Sequence, residues 1–591
     1  MNLINKLGKS LLAALLLTGA ATIVSCGSDD SDDGPKLGEL KAIFSSDNFS
    51  VEAGGTVSLP FTVTGVEGAT LALSASASNT AATTSVTSDA NYSGSVEFIA
   101  PAITDGEKIT VTLTVTDSKN NRSTTAQTLV TVGASEKLAV ALSADIKSMA
   151  TKPGGSFELP FTVTGIGTAT VASDVTLTAT SGWNATCEWG SDKSSGKIKV
   201  TAPAALTPTL ALSMTISDNH NRTAKLEATL TIVEISTAAN AANCYIVAPG
   251  STLTIKAVEG NSTTELNFNN AALVWQDAQG MVKSVSANSS EKVVVVQLNA
   301  GIVGNAVVAA KLDDVIVWSW HVWVSDYDPM SDPFVWTDKS TGTSYTFMDR
   351  NLGAKNAKKY DAGALGLLYQ WGRKDPFVGA DGTESSVYVL KYDIDGNRVR
   401  EVSEQRPTYP SSDYESTNLT VSIQNPNTFY FAPSSSYPVV DWLTDDAQRQ
   451  NHDLWGGVSG YKTKYDPCPE GWKVPAAGAA WGFRKEYKKA GALNDAQPYD
   501  SSYPWFIEYD DAYCIGFRYK QADSGKEYWF PFAGRKEVGT GVLNGVAGGA
   551  TFHTATCQNT YAIMEMLAWG NPASETGLNR PYGSSVRCIK E

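Results

Sequence analysis

Seven cysteines, four histidines and a surplus of carboxylates are the side chains in this sequence with chemistry to offer. The most conspicuous cysteine lies in DPCPEGWKVP, Asp466 to Pro475, where Cys468 sits between two prolines. A catalytic cysteine needs a base, most often histidine, to form its thiolate. The histidines are His220, His321, His452 and His553. Cys468 and Cys557 can meet His452 or His553 only through folding, and no local signature supports such a pair. Cysteine-based zinc sites use spacings such as C-x2-C, and no two cysteines here are that close. G-x-S-x-G, H-E-x-x-H and a complete phosphate-binding loop are also missing. No pair of carboxylates is singled out for glycoside hydrolysis. The expectation is a chain with no catalytic residue, no metal ligand and no cofactor.

Two segments carry partial metal patterns. Asp393-Ile394-Asp395-Gly396-Asn397 opens like a calcium loop but lacks the downstream bidentate acid. Asp-Gly is also a favoured hairpin turn, and that is the reading adopted here. Asn571-Pro572-Ala573-Ser574-Glu575 is similar to the Asn-Pro ligand loop of calcium-dependent lectins, but their partner Trp-Asn-Asp segment is absent.

The elements that must position any site begin after a leader. Lys6 and Lys9 precede an apolar run from Leu11 to Ser25. That run is shorter than the ~20 residues a spanning helix needs, and it reads as a signal peptide over residues 1–25. Ile23-Val24-Ser25-Cys26 resembles a bacterial lipobox, which implies lipidation at Cys26. The acidic tether that follows, 26–37, is too polar to bury itself. It resembles the export signal of Bacteroides-type surface lipoproteins. The resemblance implies a lipoprotein of the outer membrane, exposed at the cell surface. A net charge of −15 argues against nucleic acid or anionic membrane as a partner.

An internal repeat organises the next 200 residues. LPFTVTG occurs at Leu59–Gly65 and again at Leu159–Gly165, 100 residues later, and the register persists to VTDSKNNR and ISDNHNR. Val, Thr and Ser alternate with period 2 between turn-forming Asp, Asn and Gly clusters. This predicts two all-β Ig-like sandwiches, 38–133 and 137–234, without the Cys-Trp-Cys hallmark of antibody domains. A third β-domain spans 237–328. Its strand around Val317-Trp318-Ser319-Trp320-His321-Val322-Trp323 carries large residues on both faces, so both faces are expected to be covered.

Nine of the 15 tryptophans lie beyond residue 329. FMDRNLGA, GLLYQWGRKDPF, SGYKTKYDPCPEGWKVP and the closing SSVRCIKE follow one another in 329–591. Together they resemble the Fibrobacter succinogenes major paralogous domain. That family is similar to C-type-lectin-like and formylglycine-generating-enzyme-like folds, which implies an α+β module with long loops and its ends brought together. The formylglycine-generating relatives use a cysteine pair, and no close counterpart is evident here. Ala479–Ala490 has helix formers with Trp481, Phe483 and Tyr487 on a stripe, and predicts a helix stopped by Gly491.

Within this module Cys468 and Cys588 bracket the compact part, and in an oxidising compartment they are expected to pair. Cys514 and Cys557 are a second possible pair, since four cysteines allow three pairings. Cys187 and Cys244 read as small buried hydrophobes. Trp505, Trp529, Trp569, Asn571, Glu575 and Asn579 are the candidate ligand contacts, because tryptophan beside amide and acid groups suits stacking on sugars. The predicted function is adhesin-like: a β-domain stalk presenting a recognition module for a glycan or host protein. A fimbria-associated assembly subunit and a polysaccharide-acting enzyme are the alternatives.

Overall fold

In the computed structural model the described residues are 37–102, 107–133, 137–167, 169–219, 222–407, 414–432, 440–444, 446–486, 505–508, 514–521, 524–568 and 571–591. Strands dominate these residues. Cys26, His220, Tyr487 and Trp569 lie outside them. No helix among them is long and apolar enough to cross a membrane. The chain forms two compact units, 1–135 and 136–591.

The first unit is an Ig-like sandwich of two four-stranded sheets. One runs Lys41–Phe44, Thr56–Thr64, Gly94–Ile99, Thr83–Ser88, and the other Asn48–Glu52, Arg122–Gly133, Glu107–Asp117, Leu71–Ala77. LPFTVTG shows how the sequence dictates this. Leu59, Phe61 and Val63 point inward at 0–6% exposure, while the residues between them face outward, as strand alternation requires. Pro60 has no N–H to give, and its carbonyl accepts from Ser45 where the neighbouring strand ends. Gly65 then turns with φ +75°, and a Cβ there would stand 2.2 Å from the Glu39 carbonyl oxygen. The second copy repeats each point: Leu159, Phe161 and Val163 are buried, and Ser143 donates to Pro160. A Cβ on Gly165 would stand 2.2 Å from Lys137 O. An Asp–Arg pair staples the turn in both copies, five residues apart in the first and four in the second. Arg122 Nη2 meets Asp117 at 2.8 Å, and Arg222 Nε meets Asp218 at 2.7 Å.

In the second unit the second sandwich does not end at residue 234 as an isolated body. Its sheet Thr176–Ala179, Thr209–Ser217, Thr223–Glu234, Ser148–Thr151 continues into Val282–Asn288, Val293–Leu298 and Thr252–Lys256. The join is the parallel contact Met149 to Ala287, backed by Ser286 Oγ to Ser148 Oγ (2.7 Å) and Asn288 Nδ2 to Ala150 O (2.7 Å).

The strand Val315–Val324 is covered on both faces. Trp318, Trp320, Val322 and Val324 fill one core with Ile255, Val294 and Val308. Trp323, on the opposite face, joins Trp275, Trp371, Trp442 and Trp455 in another core that the third β-domain shares with the C-terminal region. Polar contacts reinforce this joint. Asn243 Nδ2 donates to Lys464 O (2.7 Å) and Asp466 O (2.9 Å), and its Oδ1 accepts from Trp318 Nε1. Ser319 Oγ donates to Asp375, which pairs with Lys374 at 2.7 Å, all buried.

The C-terminal region is built mostly of strands. Phe334–Thr337, Ser344–Phe347, Ile589–Lys590 and Trp472–Lys473 form one sheet that brings the end of the chain back to its entry. A larger sheet holds the meander Gly549–Gln558, Tyr561–Ala568, Asn571–Asn579 beside Gly583–Ser585. Tyr414–Gln424 is the one α-helix among the described residues. The expected helix from Ala479 is instead a 3-10 segment, Ala479–Glu486, with non-helical backbone at Trp481. Trp481 and Phe483 enter the same aromatic cluster with Phe334 and Phe347. Residues two apart do not share a helix face, so the backbone bends to deliver both.

A glycine-pinned loop as candidate recognition site

DPCPEGWKVP forms a structural knot. Cys468 is joined to Cys588 by a disulfide. Asp466 is buried; its Oδ1 accepts from Cys468 N (2.8 Å) and its Oδ2 from Val474 N (2.9 Å). Lys462 Nζ donates to the carbonyls of Cys468 (3.1 Å), Pro469 (2.5 Å) and Trp472. Burial pushes the Asp466 carboxyl up to about 6. Gly471, with φ +72°, makes the turn after Pro469.

Among the described residues Cys187, Cys244 and Cys557 are free thiols. The suggested Cys514–Cys557 bond is corrected by the topology. Cys514 precedes the strand Gly516–Lys520, with its Sγ 3.9 Å from Gly382 O. Cys557 lies across from Ala562 in a different sheet. Burial pushes the Cys557 thiol up to about 12, so it stays protonated at neutral pH. Cys244 is buried at 1% exposure.

Of the candidate ligand contacts, Trp529 is corrected. It is 3% exposed and packs edge-on against Tyr360, so its face is closed to a ligand. Trp505 opens the strand Trp505–Glu508 and Asn571 opens Asn571–Asn579, and for both the backbone alone is described. Trp569 is outside the described residues. Glu575 is exposed on the same strand, opposite Glu565. Asn579 is half-buried, opposite Tyr561. The calcium-like Asp393 is occupied by its own turn: its carboxylate accepts from Asp395 N (3.0 Å), Asn397 N (2.8 Å) and Asn397 Nδ2 (3.1 Å).

Asn579 leads to a surface that sequence reasoning missed. The next residue, Arg580, is 1% exposed. Its Nη1 meets Asp441 Oδ2 (3.3 Å) and Asn451 O (2.9 Å), and its Nη2 donates to His452 Nδ1 at 2.8 Å. Asp441 also accepts from Gln450 Nε2 at 2.9 Å. Arg580 therefore anchors the start of the segment 450–461. Burial, then the Arg580 charge, lowers the His452 pKa, so the ring that accepts this bond is neutral at pH 7.

The rest of the segment is held by glycine and by tryptophan. Trp455 is fully buried against Trp371 and His553, and its Nε1 donates to Tyr465 O. Gly456, Gly457 and Gly460 all have positive φ. A Cβ on Gly456 would stand 1.9 Å from Tyr461 O. Lys473 Nζ donates to Gly460 O at 2.5 Å. The loop thus fixed leaves Val458 78% and Tyr461 54% exposed. Tyr561, cross-strand from Asn579, is 44% exposed. Val458 and Tyr461 are thus large side chains held out in water by a constrained backbone. The signal in the sequence was GGVSGY, three glycines within five positions around a valine and before a tyrosine.

No protein-family profile matches the chain, and no curated protein does. Among solved structures it is similar to a chimeric titin Z1Z2 (15% identity, 34% of this chain, 100% of that one, TM-score 0.18). It is also similar to the human desmocollin-1 ectodomain (10% identity, 52% and 66% coverage, TM-score 0.18). A third is the Bacteroides ovatus SGBP-B of a mixed-linkage glucan utilization locus, in complex with a mixed-linkage heptasaccharide (13% identity, 49% and 67% coverage, TM-score 0.12).

Proposed function

We propose that this chain is a non-enzymatic recognition protein of the cell surface, anchored through lipid on Cys26 and binding a glycan or protein ligand through its C-terminal region. The observation that carries the reading is the loop 456–461, pinned by three positive-φ glycines so that Val458 and Tyr461 stand in solvent. Tyrosine offers a flat apolar face with a polar edge, suited to stacking and hydrogen bonding at once. The motif order that resembles the Fibrobacter succinogenes major paralogous domain supports a C-type-lectin-like module in this role. The β-domains before it serve as the stalk.

A glycan array and a surface-protein capture with the chain from residue 37 test this reading. Saturable binding that Tyr461→Ala and Tyr561→Ala each weaken supports it. Binding indifferent to both changes refutes the site. Turnover of a polysaccharide lost on a single carboxylate change refutes the non-enzymatic role. In cells, labelled fatty acid should enter the wild-type chain and be absent from Cys26→Ala.

A further inference from the structure

The joint between the third β-domain and the C-terminal region forms a half-open cavity of about 270 Å³. It shares no residue with the tyrosine-bearing loop. Its deepest charged group is Asp277, whose side chain is 3% exposed. Asp277 Oδ1 accepts from Asn305 N (2.7 Å) and Oδ2 from Asn305 Nδ2 (2.9 Å). Asn305 Oδ1 in turn meets His321 Nε2 at 2.9 Å, and His321 Nδ1 lies 3.4 Å from Tyr369 Oη. Two hydrogen bonds, both from Asn305, thus fix the carboxylate, and His321 and Tyr369 hold Asn305 in turn. A carboxylate offers about four acceptor sites, so this fixing leaves capacity for a ligand.

Two further groups line the cavity. Lys355 Nζ stands 3.4 Å from Asp277 Oδ2, with its side chain one-third exposed. It has three protons to donate. Asp381 holds its own loop through Oδ1, which accepts from Thr383 N (2.9 Å) and Thr383 Oγ1 (2.6 Å). The apolar lining is aliphatic: Leu367, Val389 and Leu390.

The chemistry narrows the ligand. Two carboxylates against one ammonium disfavour an anion. With no aromatic residue in the lining, a flat base has nothing to stack on. The volume lies just under the ~300 Å³ lower bound of common small-molecule sites and accommodates one ring inside the pocket. We infer that this cavity binds a single neutral sugar ring or a polyol of that size. Its hydroxyls donate to Asp277 and Asp381 and accept from Lys355, and its C–H face lies on Leu367 and Val389.

Saturation-transfer NMR and calorimetry of the full chain with glucose, galactose, mannose and N-acetylglucosamine test this. At least one sugar should bind saturably at millimolar concentration. Lys355→Met and Asp381→Asn each remove one charge-assisted hydrogen bond and should weaken it about tenfold. Lys355 also pairs with Asp277 and Asp381 also holds its own loop, so the melting temperature of each variant is measured beside its affinity, and Asp277→Asn is a third variant for comparison. Tyr461→Ala and Tyr561→Ala should leave monosaccharide binding unchanged, which separates this site from the recognition loop. The inference is overturned if none of the four sugars saturates, if Lys355→Met and Asp381→Asn bind as wild type does, or if putrescine binds here and the sugars do not.

Discussion

Gln276 and Tyr392 exchange two backbone hydrogen bonds, 2.9 and 2.8 Å long, across the boundary where composition divides the chain. Gln276 Nε2 adds a third to Asp393 O at 3.0 Å. The loop 456–461, which follows Trp455, therefore stands on a core shared between the third β-domain and the C-terminal region. A fragment 330–591 lacks Trp275 and Trp323 and should expose the rest of that core. It should melt broadly and bind a hydrophobic dye, whereas 137–591 melts cooperatively. Calorimetry of the two fragments decides the point; equal cooperative transitions would show that the shared core is dispensable.

The Cys468–Cys588 bond closes a loop of 120 residues. Removing it frees the denatured chain, at a cost of about 4–5 kcal/mol from loop entropy. Cys468→Ser should lower the denaturant midpoint by a matching amount. Cys514→Ser should not reproduce that loss. Non-reduced peptide mapping should find Cys468 linked to Cys588 alone.

Two buried carboxylates give opposite acid responses. Hydrogen bonds from Asn120 first, and then from Arg122, hold Asp117 at about 2, below its ordinary 3.8, against the cost of burial. Its contribution to stability is present above pH 3.8 and is lost as pH falls towards 2. Asp466 is raised to about 6, so the folded state binds its proton more tightly than the unfolded chain. Its contribution shrinks as pH rises from 3.8 to 6. Melting curves of 37–135 with Asp117→Asn should flatten the first dependence, and Asp466→Asn in 137–591 should flatten the second.

His452 accepts from Arg580 only while neutral. Its lowered pKa means that the neutral ring persists below pH 6.5, and that the contribution is lost on further acidification. Ligand binding at the tyrosine loop should be constant from pH 8 to 6.5 and weaken below that range. His452→Gln, which keeps an acceptor, should bind with a flat profile. An acid loss that survives His452→Gln would assign the effect elsewhere.

Gly65→Ala and Gly165→Ala place a methyl 2.2 Å from a backbone oxygen at φ above +70°. Each should destabilise its own sandwich by more than about 1 kcal/mol. Hydrogen exchange should show the loss confined to 37–133 for the first change and centred on 137–234 for the second.

The repeat was legible because it is local. Alternation in LPFTVTG sets which side chains face inward, and Gly65 and Gly165 mark where the backbone turns back. The strand with tryptophan on both faces was legible for the same reason, since only a covered strand can carry Trp318 and Trp323 on opposite sides. Composition also marked the C-terminal region by its tryptophans. The candidate site was read poorly. Trp529 stood out by residue type, yet it is closed off by Tyr360, because burial depends on what packs over a side chain and not on its identity. The helix at Ala479 failed because one aromatic cluster claimed two residues at non-helical spacing. His452, Asp441 and Arg580 are up to 139 residues apart, and no local pattern links them. The sequence by itself determined the period of the strands, the positions of the glycine turns and the chemistry that was on offer. Only the tertiary structure decided which tyrosines remain in water and which acids lose it, because both depend on long-range packing that brings distant segments into one core.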